Sequence, residues 1–212
     1  NPPLVFQTAL PAAGADDKSI SNNIRKAAKL MQEAWNGDLP AAIPEMPESI
    51  PYGSIRTKGL ALGLSVDKVQ PVVFDYAKQH FLLISGVEQS GKSSTLQVVA
   101  RQLKQRLGGK LYVMNIKGSG LSEIRDEADT YLSTASDIDA FIEGLRPELQ
   151  RRYAEKQNNS AARYEPIILA IDDYTAFFRA VSNDTVQRLL AVVKLGKGLD
   201  LYLVTAGDAN EL

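Results

Sequence analysis

The chain has 212 residues, of which 44% are apolar, enough to fill the core of one large domain or of a domain with a small appendage. Its 24 basic and 25 acidic side chains give a formal net charge of −1, which argues against a general attraction to nucleic acid or anionic lipid. The sequence has no cysteine and one histidine, so disulfides, thiolate metal sites and histidine clusters are excluded.

The first 58 residues predict a linker, a helix and a proline-rich strap. Residues 1–15 are rich in proline and alanine, which is typical of an extended lead-in. Residues 16–36 place apolar side chains at helical spacing, so we expect a helix there. Prolines at positions 40, 44, 47 and 51 then disfavour helix. We interpret this stretch as a strap packed on the main domain, with a flexible linker as the alternative.

Residues 59–212 alternate between apolar runs and helical patterns, and we treat them as one main domain. Strands are predicted at 59–66 and 72–76, paired as a hairpin, and at 81–85, 111–116, 167–171 and 201–205. Helices are predicted at 92–107, at 136–157 and at 185–195. Ser136 is the predicted cap of the second helix, and Pro147 is expected to kink or break it. Strands separated by helices favour a three-layer α/β fold with a mostly parallel central sheet.

Residues 86–94 read GVEQSGKSS and match the phosphate-binding loop pattern G-x-x-x-x-G-K-[ST] between a strand and a helix. In such a loop, backbone N–H groups surround the phosphates, Lys92 reaches the β- and γ-phosphates, and Ser93 offers its hydroxyl to Mg²⁺. Glu88 is expected to point to solvent, because a carboxylate would repel a polyanion. The alternative is a fortuitous turn or a loop that no longer binds. The predicted nucleotide-binding residues are Gly86, Val87, Glu88, Gln89, Ser90, Gly91, Lys92, Ser93 and Ser94.

An apolar strand ending in two aspartates predicts the metal side of the same site. Residues 165–174 read EPIILAIDDY, and a carboxylate at such a strand tip can hold the hydrated Mg²⁺. Asp172 is therefore the candidate metal residue, with a helix N-cap as its alternative. Asp173 is the candidate that orients or deprotonates the attacking water, together with Lys92 as a catalytic residue. Another strand tip is followed by Asn115, Lys117 and Gly118. These residues either line the nucleotide site or lie apart from it.

Several segments, in the same order along the chain, resemble the FtsK/SpoIIIE branch of the P-loop ATPases, which has a RecA-like fold with an additional strand. These segments are HFLLISGVEQSGKSS, IILAIDDY and KLGKGLDLYLVTAG. The earlier segments EAWNG, PAAIPEMPE and IPYG resemble more narrowly the C-terminal ATPase domain of type VII secretion motors. The resemblance covers nearly the whole chain, and the order of the segments is more specific than the phosphate loop alone.

This resemblance implies ATP and Mg²⁺ as cofactors and a cytoplasmic location within a membrane-anchored bacterial protein. It implies neighbouring ATPase domains in the same chain, a hexameric assembly and small helical secreted substrates as partners. It also implies further strands beyond residue 212. No apolar run of the sequence approaches the length that crosses a bilayer, so we expect no direct membrane contact from this segment. The first residue is Asn rather than Met, which suggests a piece of a longer protein.

Three departures from the active pattern predict weak hydrolysis. Asp173 stands where active relatives carry glutamate, and aspartate is one methylene shorter. Lys194 and Lys197 stand where active relatives carry an arginine that acts on a neighbour's ATP, and lysine lacks the planar fork of arginine. Active relatives end the next strand with threonine-glutamine, whereas Thr205 is followed here by Ala206 and Gly207. A polar γ-phosphate sensor is therefore either missing or reduced to Thr205.

The departures favour an ATP-binding domain that recognises substrates or regulates the motor. The first alternative is a catalytically competent motor ATPase that drives protein export. The second is a DNA translocase, against which the balanced charge argues. Arg151, Arg152 and Arg163 are expected to form a solvated face.

Overall fold

A computed structural model describes residues 9–38, 42–118 and 120–209, and it divides the chain into two compact units, Asn1–Pro44 and Glu45–Leu212. Parts of the predicted lead-in and strap, at residues 1–8 and 39–41, lie outside the described residues, as do residues 210–212. The packing of residues 1–44 on the main domain stays a prediction.

The described residues of the first unit form one helix, α1 (Asp17–Ala34), at the position predicted from the apolar spacing. Asp16 caps its start through a reciprocal pair of hydrogen bonds. The amide of Ser19 donates to the Asp16 carboxylate at 2.7 Å, and the amide of Asp16 donates to the Ser19 hydroxyl at 3.1 Å. Two of the amide groups that a helix start leaves without partners are thereby satisfied.

The second unit is a three-layer α/β domain, which confirms the predicted fold class. Its five-stranded sheet is parallel throughout, with the spatial order β3-β7-β6-β4-β5. The strands are β1 (Leu60–Leu64), β2 (Pro71–Phe74), β3 (Phe81–Gly86), β4 (Lys110–Met114), β5 (Thr130–Leu132), β6 (Ile167–Asp172) and β7 (Leu201–Asp208). The helices are α2 (Lys92–Leu107), α3 (Ala135–Asn158), α4 (Tyr174–Ala180) and α5 (Asn183–Leu195), with a short 3₁₀ helix at Ser122–Glu127. Strands β1 and β2 form the predicted antiparallel hairpin.

Apolar side chains fill both sides of the sheet. Helix α2 and the 3₁₀ helix pack on one face through buried residues such as Leu96, Leu103 and Ile124. Helices α3, α4 and α5 pack on the other face through residues such as Ile142 and Phe177. All six residues of the central strand β6 are buried, which explains its continuous apolar run in the sequence.

Part of the predicted strap is joined to helix α2 within this unit. The hydroxyl of Tyr52 donates to the side-chain oxygen of Gln105 at 2.9 Å, and Arg106 donates to the carbonyl of Thr57 at 2.8 Å. Residues 45–58 therefore contact the domain that follows them in sequence. No helix in the described part of the chain is long and apolar enough to cross a membrane.

Of the kink or break predicted at Pro147, the structure excludes the break in helix α3. The helix runs unbroken from Ala135 to Asn158, and Pro147 lies on its exposed side. The carbonyl of Glu143, which loses its helical donor there, belongs to an exposed residue, so water can bond to it. The helix is capped by Thr134, whose hydroxyl accepts from the amide of Asp137 at 3.2 Å, rather than by Ser136.

Arg152 corrects the prediction of a solvated arginine face, because only 5% of its surface is exposed. Its guanidinium donates to Glu148 at 2.7 Å and to the carbonyl of Leu199 at 3.0 Å, and it lies over the ring of Tyr164. Arg151, the next residue on the helix, is exposed and bonds to the same Glu148.

Candidate nucleotide-binding site

The parallel order of the sheet brings the ends of several strands together. Gly86 of β3 is paired with Asp208 of β7, and Asp172 of β6 is paired with Ala206 of β7. Strand β4 ends beside β6, so the residues after Met114 reach the same edge. In open parallel sheets, ligands bind at this carboxyl edge.

The loop between β3 and α2 has a backbone that glycine makes feasible. Gly91 has a φ of 83° immediately before helix α2, in the left-handed region that glycine occupies without strain. At Gly86 a Cβ atom would lie 2.5 Å from the hydroxyl oxygen of Ser90, so a side chain there would displace that hydroxyl. The two glycines therefore allow the chain to leave the strand, curl tightly and enter the helix.

Lys92 lies across this loop. Its Nζ donates to the carbonyl of Val87 at 2.6 Å, which holds the ammonium group inside the curve of the loop. Glu88, which was expected to point to solvent, is exposed and also lines the cleft beside Lys92.

Asp172 and Ser93 meet at the metal side of the loop. Asp172 is only 7% exposed, and the Ser93 side chain is hydrogen-bonded to its carboxylate. Burial raises the pKa of Asp172, and the Ser93 hydrogen bond and the charges of Lys117 and Lys92 act in the opposite direction. A hydroxyl and a carboxylate are hard oxygen donors of the type that Mg²⁺ takes, with water and phosphate completing its coordination.

Asp173, rather than Asp172, caps helix α4. One carboxylate oxygen of Asp173 accepts from the amide of Ala176 at 2.5 Å, and the other lies 3.5 Å from Nζ of Lys117. The N-cap alternative therefore applies to Asp173. Both of its oxygens already have partners, whereas its predicted role requires a carboxylate oxygen directed at a water molecule.

Gly120 covers the metal side and was not found from the sequence. It has a φ of 86°, and a Cβ atom there would collide with the Asp172 carboxylate and lie 2.8 Å from the hydroxyl oxygen of Ser93. The buried amide of Gln97 donates to the carbonyl of Gly120 and ties it to helix α2. No sequence pattern indicates this contact, because it joins residues 23 positions apart.

A cleft of about 440 Å³ opens next to Lys92, on the side of helix α4. It is lined by Glu88, Lys92, Lys117, Asp173, Thr175, Ala176, Arg179 and Asp208. Three cations and three carboxylates therefore share this cleft. Lys117 was a sequence candidate for the site, whereas Thr175, Arg179 and Asp208 were not, because α4 and the end of β7 carry no recognisable motif.

Thr205 lies on the opposite face from helix α2. Its buried hydroxyl donates to the carbonyl of Ile171 at 3.2 Å, and it lines an apolar groove with residues such as Phe81 and Phe178. Thr205 is not among the residues that line the cleft beside Lys92, where β7 instead contributes Asp208.

Lys197 lies at the other edge of the sheet from the phosphate loop. It lines a cleft with His80, just before β3, and with Leu201, the first residue of β7. Burial lowers the pKa of His80, and the charge of Lys197 lowers it further. Lys194 is exposed in the last turn of α5. Neither lysine lines the cleft beside Lys92.

Comparisons with known proteins confirm the resemblance to type VII secretion ATPases. The chain is 28% identical over 221 residues to the ESX secretion system protein YukB of Bacillus subtilis, covering 97% of this chain and 15% of YukB. It is 21% identical over 219 residues to the ESX secretion system protein EccC of Thermomonospora curvata, covering 95% of this chain and 16% of EccC. The chain thus spans about one sixth of the length of these relatives.

Among solved structures, EssC (ATPases 2 and 3) from Geobacillus thermodenitrificans matches with a TM-score of 0.70. It is 21% identical, and the match covers 95% of this chain and 40% of that structure. This similarity extends over the sheet and its helices and supports the fold described above. No protein-family profile matches the chain.

Proposed function

We propose that the chain is an ATP-binding domain of a type VII protein secretion motor, with weak hydrolysis and a role in substrate recognition or regulation. The observation that carries the proposal is the position of Lys92 and Ser93. They follow a glycine-bounded loop at the carboxyl edge of the sheet, and Ser93 is hydrogen-bonded to the buried Asp172.

Each part of the loop has a role in this proposal. Backbone amides of residues 86–94 hold the phosphates, and Lys92 exchanges the carbonyl of Val87 for phosphate oxygens when nucleotide enters. Ser93 and Asp172 hold Mg²⁺, which neutralises phosphate charge when bound. Since the loop contacts only phosphates, the choice of adenine rests on the resemblance to the ATPases.

Weak hydrolysis is supported by the partners of Asp173. A residue that orients water needs a carboxylate oxygen directed at that water. In Asp173 one oxygen caps α4 and the other faces Lys117. Thr205 bonds to Ile171 rather than reaching the cleft.

The alternative, a catalytically competent motor, is favoured by the position of Lys197. This residue lies at the edge of the sheet away from its own loop, so any role in hydrolysis would have to be exerted on the nucleotide of a neighbouring copy. Lys194 is exposed nearby in sequence and remains the second candidate for this role.

The same proposal places the chain beside further ATPase domains, in the cytoplasmic part of a membrane-anchored bacterial protein that assembles as a hexamer. The cargo of the motor is then small helical secreted proteins, and nucleic acid is not a partner. The supporting findings are the similarity to YukB and EccC and the balanced charge of the chain.

Thermal melting with nucleotide tests the proposal. Mg·ATP at 100 times its Kd should stabilise the native state by about 2.7 kcal/mol and raise Tm, whereas Lys92→Ala should remove the shift. No shift in the wild-type chain at millimolar Mg·ATP would contradict nucleotide binding. Hydrolysis that depends on Lys92 at about 1 s⁻¹ or faster would favour the competent motor instead.

A further inference from the structure

The hydroxyl of Thr175 has no hydrogen-bond partner, although its oxygen is buried. It is the only buried side-chain polar atom without a partner in the described part of the chain. A buried hydroxyl without a partner is costly, by about 1–3 kcal/mol, and such groups are rare in native proteins. Thr175 also lines the cleft beside Lys92, and rotation of its side chain to another staggered rotamer would bring the hydroxyl to a ligand there that accepts its hydrogen bond.

Lys117 lines the same cleft from the loop that follows β4. It is held there by a tight turn in which the side-chain oxygen of the buried Asn115 accepts from the amide of Gly118 at 2.9 Å. Gly118 has a φ of 73°, which lets the turn close. The Lys117 ammonium lies 3.5 Å from the Asp173 carboxylate, and its side chain is 66% exposed. An ion pair of this exposure is weak, and an ammonium group has three donors, so Lys117 can bind a second anion while it stays close to Asp173.

The last phosphate of a nucleotide bound at Lys92 is expected to extend into this cleft. Lys92 contacts the β- and γ-phosphates in loops of this type, and the cleft continues from Lys92 toward Lys117 and Thr175. The carboxylates of Glu88, Asp173 and Asp208 also line it. These carboxylates would repel a third phosphate, so the nearby cations are needed to bind it. Strand β7 contributes the carboxylate of Asp208 to the cleft, instead of the Thr205 hydroxyl that was the sensor candidate.

We infer that Lys117 and Thr175 together recognise the γ-phosphate and make this site prefer a nucleoside triphosphate to the diphosphate. This inference rests on the proposed nucleotide binding. Lys117 supplies a charge and Thr175 donates one hydrogen bond, and neither group contacts a diphosphate. The pair takes over the discrimination that Thr205, bonded to Ile171, does not provide.

Isothermal titration of the chain with Mg²⁺ and either ADP or a non-hydrolysable ATP analogue tests the inference. Lys117→Met should weaken binding of the triphosphate by about tenfold and leave ADP binding unchanged, because a charge-assisted hydrogen bond is lost. Thr175→Val should act in the same direction with a smaller factor. It should not lower Tm without nucleotide, since the hydroxyl removed has no partner.

Lys110→Met is the matched control. Lys110 lies at the opposite end of β4, is similarly exposed and pairs with a single carboxylate, that of Glu165 at 3.4 Å. It should change neither affinity. Equal losses for both nucleotides in Lys117→Met, or no loss for either, would overturn the inference while leaving nucleotide binding intact. If the wild-type chain bound neither nucleotide, or bound both without dependence on Lys92, both the inference and the proposed function would be contradicted.

Discussion

Burial raises the pKa of Asp172, which means that its ionised form is disfavoured in the folded chain without a cation. For an acid whose pKa is raised on folding, ionisation costs stability as the pH rises through that raised value. A divalent cation at Ser93 and Asp172 would offset this cost. The residue is thus better suited to binding a cation than to a purely structural role, and the cap of α4 falls to Asp173.

Alanine variants at two glycines of one loop, Gly118 and Gly120, can distinguish the effect of backbone strain from the effect of contact with Ser93 and Asp172. Gly118 and Gly120 have φ values of 73° and 86°, so alanine at either position should cost about 1–2 kcal/mol. Only Gly120→Ala would also press on Ser93 and Asp172, because a Cβ at Gly118 meets nothing within 4 Å. We therefore expect a larger loss of stability in Gly120→Ala than in Gly118→Ala, and a loss of Mg²⁺-dependent nucleotide binding in Gly120→Ala alone.

Urea unfolding and nucleotide titration of the two variants measure these effects. Equal nucleotide affinities in Gly118→Ala and Gly120→Ala would show that the close approach of Gly120 to Asp172 has no part in metal binding. The comparison is independent of whether ATP is hydrolysed.

At the scale of elements, helix α3 shows how a periodic pattern can include a charged residue. Its buried positions Ile138, Ile142, Leu145 and Leu149 continue with Arg152 at the same spacing. Composition alone placed both arginines on a solvated face, whereas the periodicity would have separated Arg152 from Arg151. The buried cation is stable because Glu148, the carbonyl of Leu199 and the ring of Tyr164 surround it.

The Glu148 cluster predicts a specific acid sensitivity. Hydrogen bonds from Arg151 and then Arg152 lower the pKa of Glu148 from 4.5 to about 2. The ionised carboxylate therefore stabilises the fold above pH 4.5, and this contribution is lost as the pH falls toward 2. We expect Glu148→Gln to lower the free energy of unfolding at pH 7 and to reduce its further fall between pH 4.5 and 2.

Urea unfolding at pH 7, 4 and 3 checks this expectation. Glu165→Gln serves as the control, because Glu165 pairs with the exposed Lys110 at the start of β4. A wild-type chain and a Glu148→Gln variant with parallel pH profiles would contradict the assigned cause.

At the scale of the whole molecule, the strands and the phosphate loop were predictable because their signals are local. The buried strands read as apolar runs, and the loop pattern lies between a strand and a helix. The order β3-β7-β6-β4-β5 was not predictable from these runs, since strand pairing depends on contacts far apart in sequence. Strand β5 has three residues, too few for a periodic signal. Thr175 and Gly120 join the site only through that tertiary arrangement.

The position of Lys197 at the far edge of the sheet leads to a prediction for assemblies of the chain. If this lysine serves the nucleotide of a neighbouring copy, each active unit combines the loop of one chain with Lys197 of the next. A variant with Lys92→Ala and a variant with Lys197→Ala are then each inactive alone. Mixing them should restore part of the hydrolysis, because the Lys92→Ala chain contributes Lys197 and the Lys197→Ala chain contributes an intact loop.

Release of labelled phosphate from the two variants, alone and mixed, measures this complementation. Lys78→Ala is the control, since Lys78 lines the same cleft as Lys197 but pairs with Asp75 at 3.2 Å. Alone, it should keep wild-type turnover, because no role at a neighbouring loop is assigned to it. Turnover in the mixture equal to the mean of the two separate variants would contradict a role between copies, and Lys197 would then serve only the edge of its own sheet beside His80.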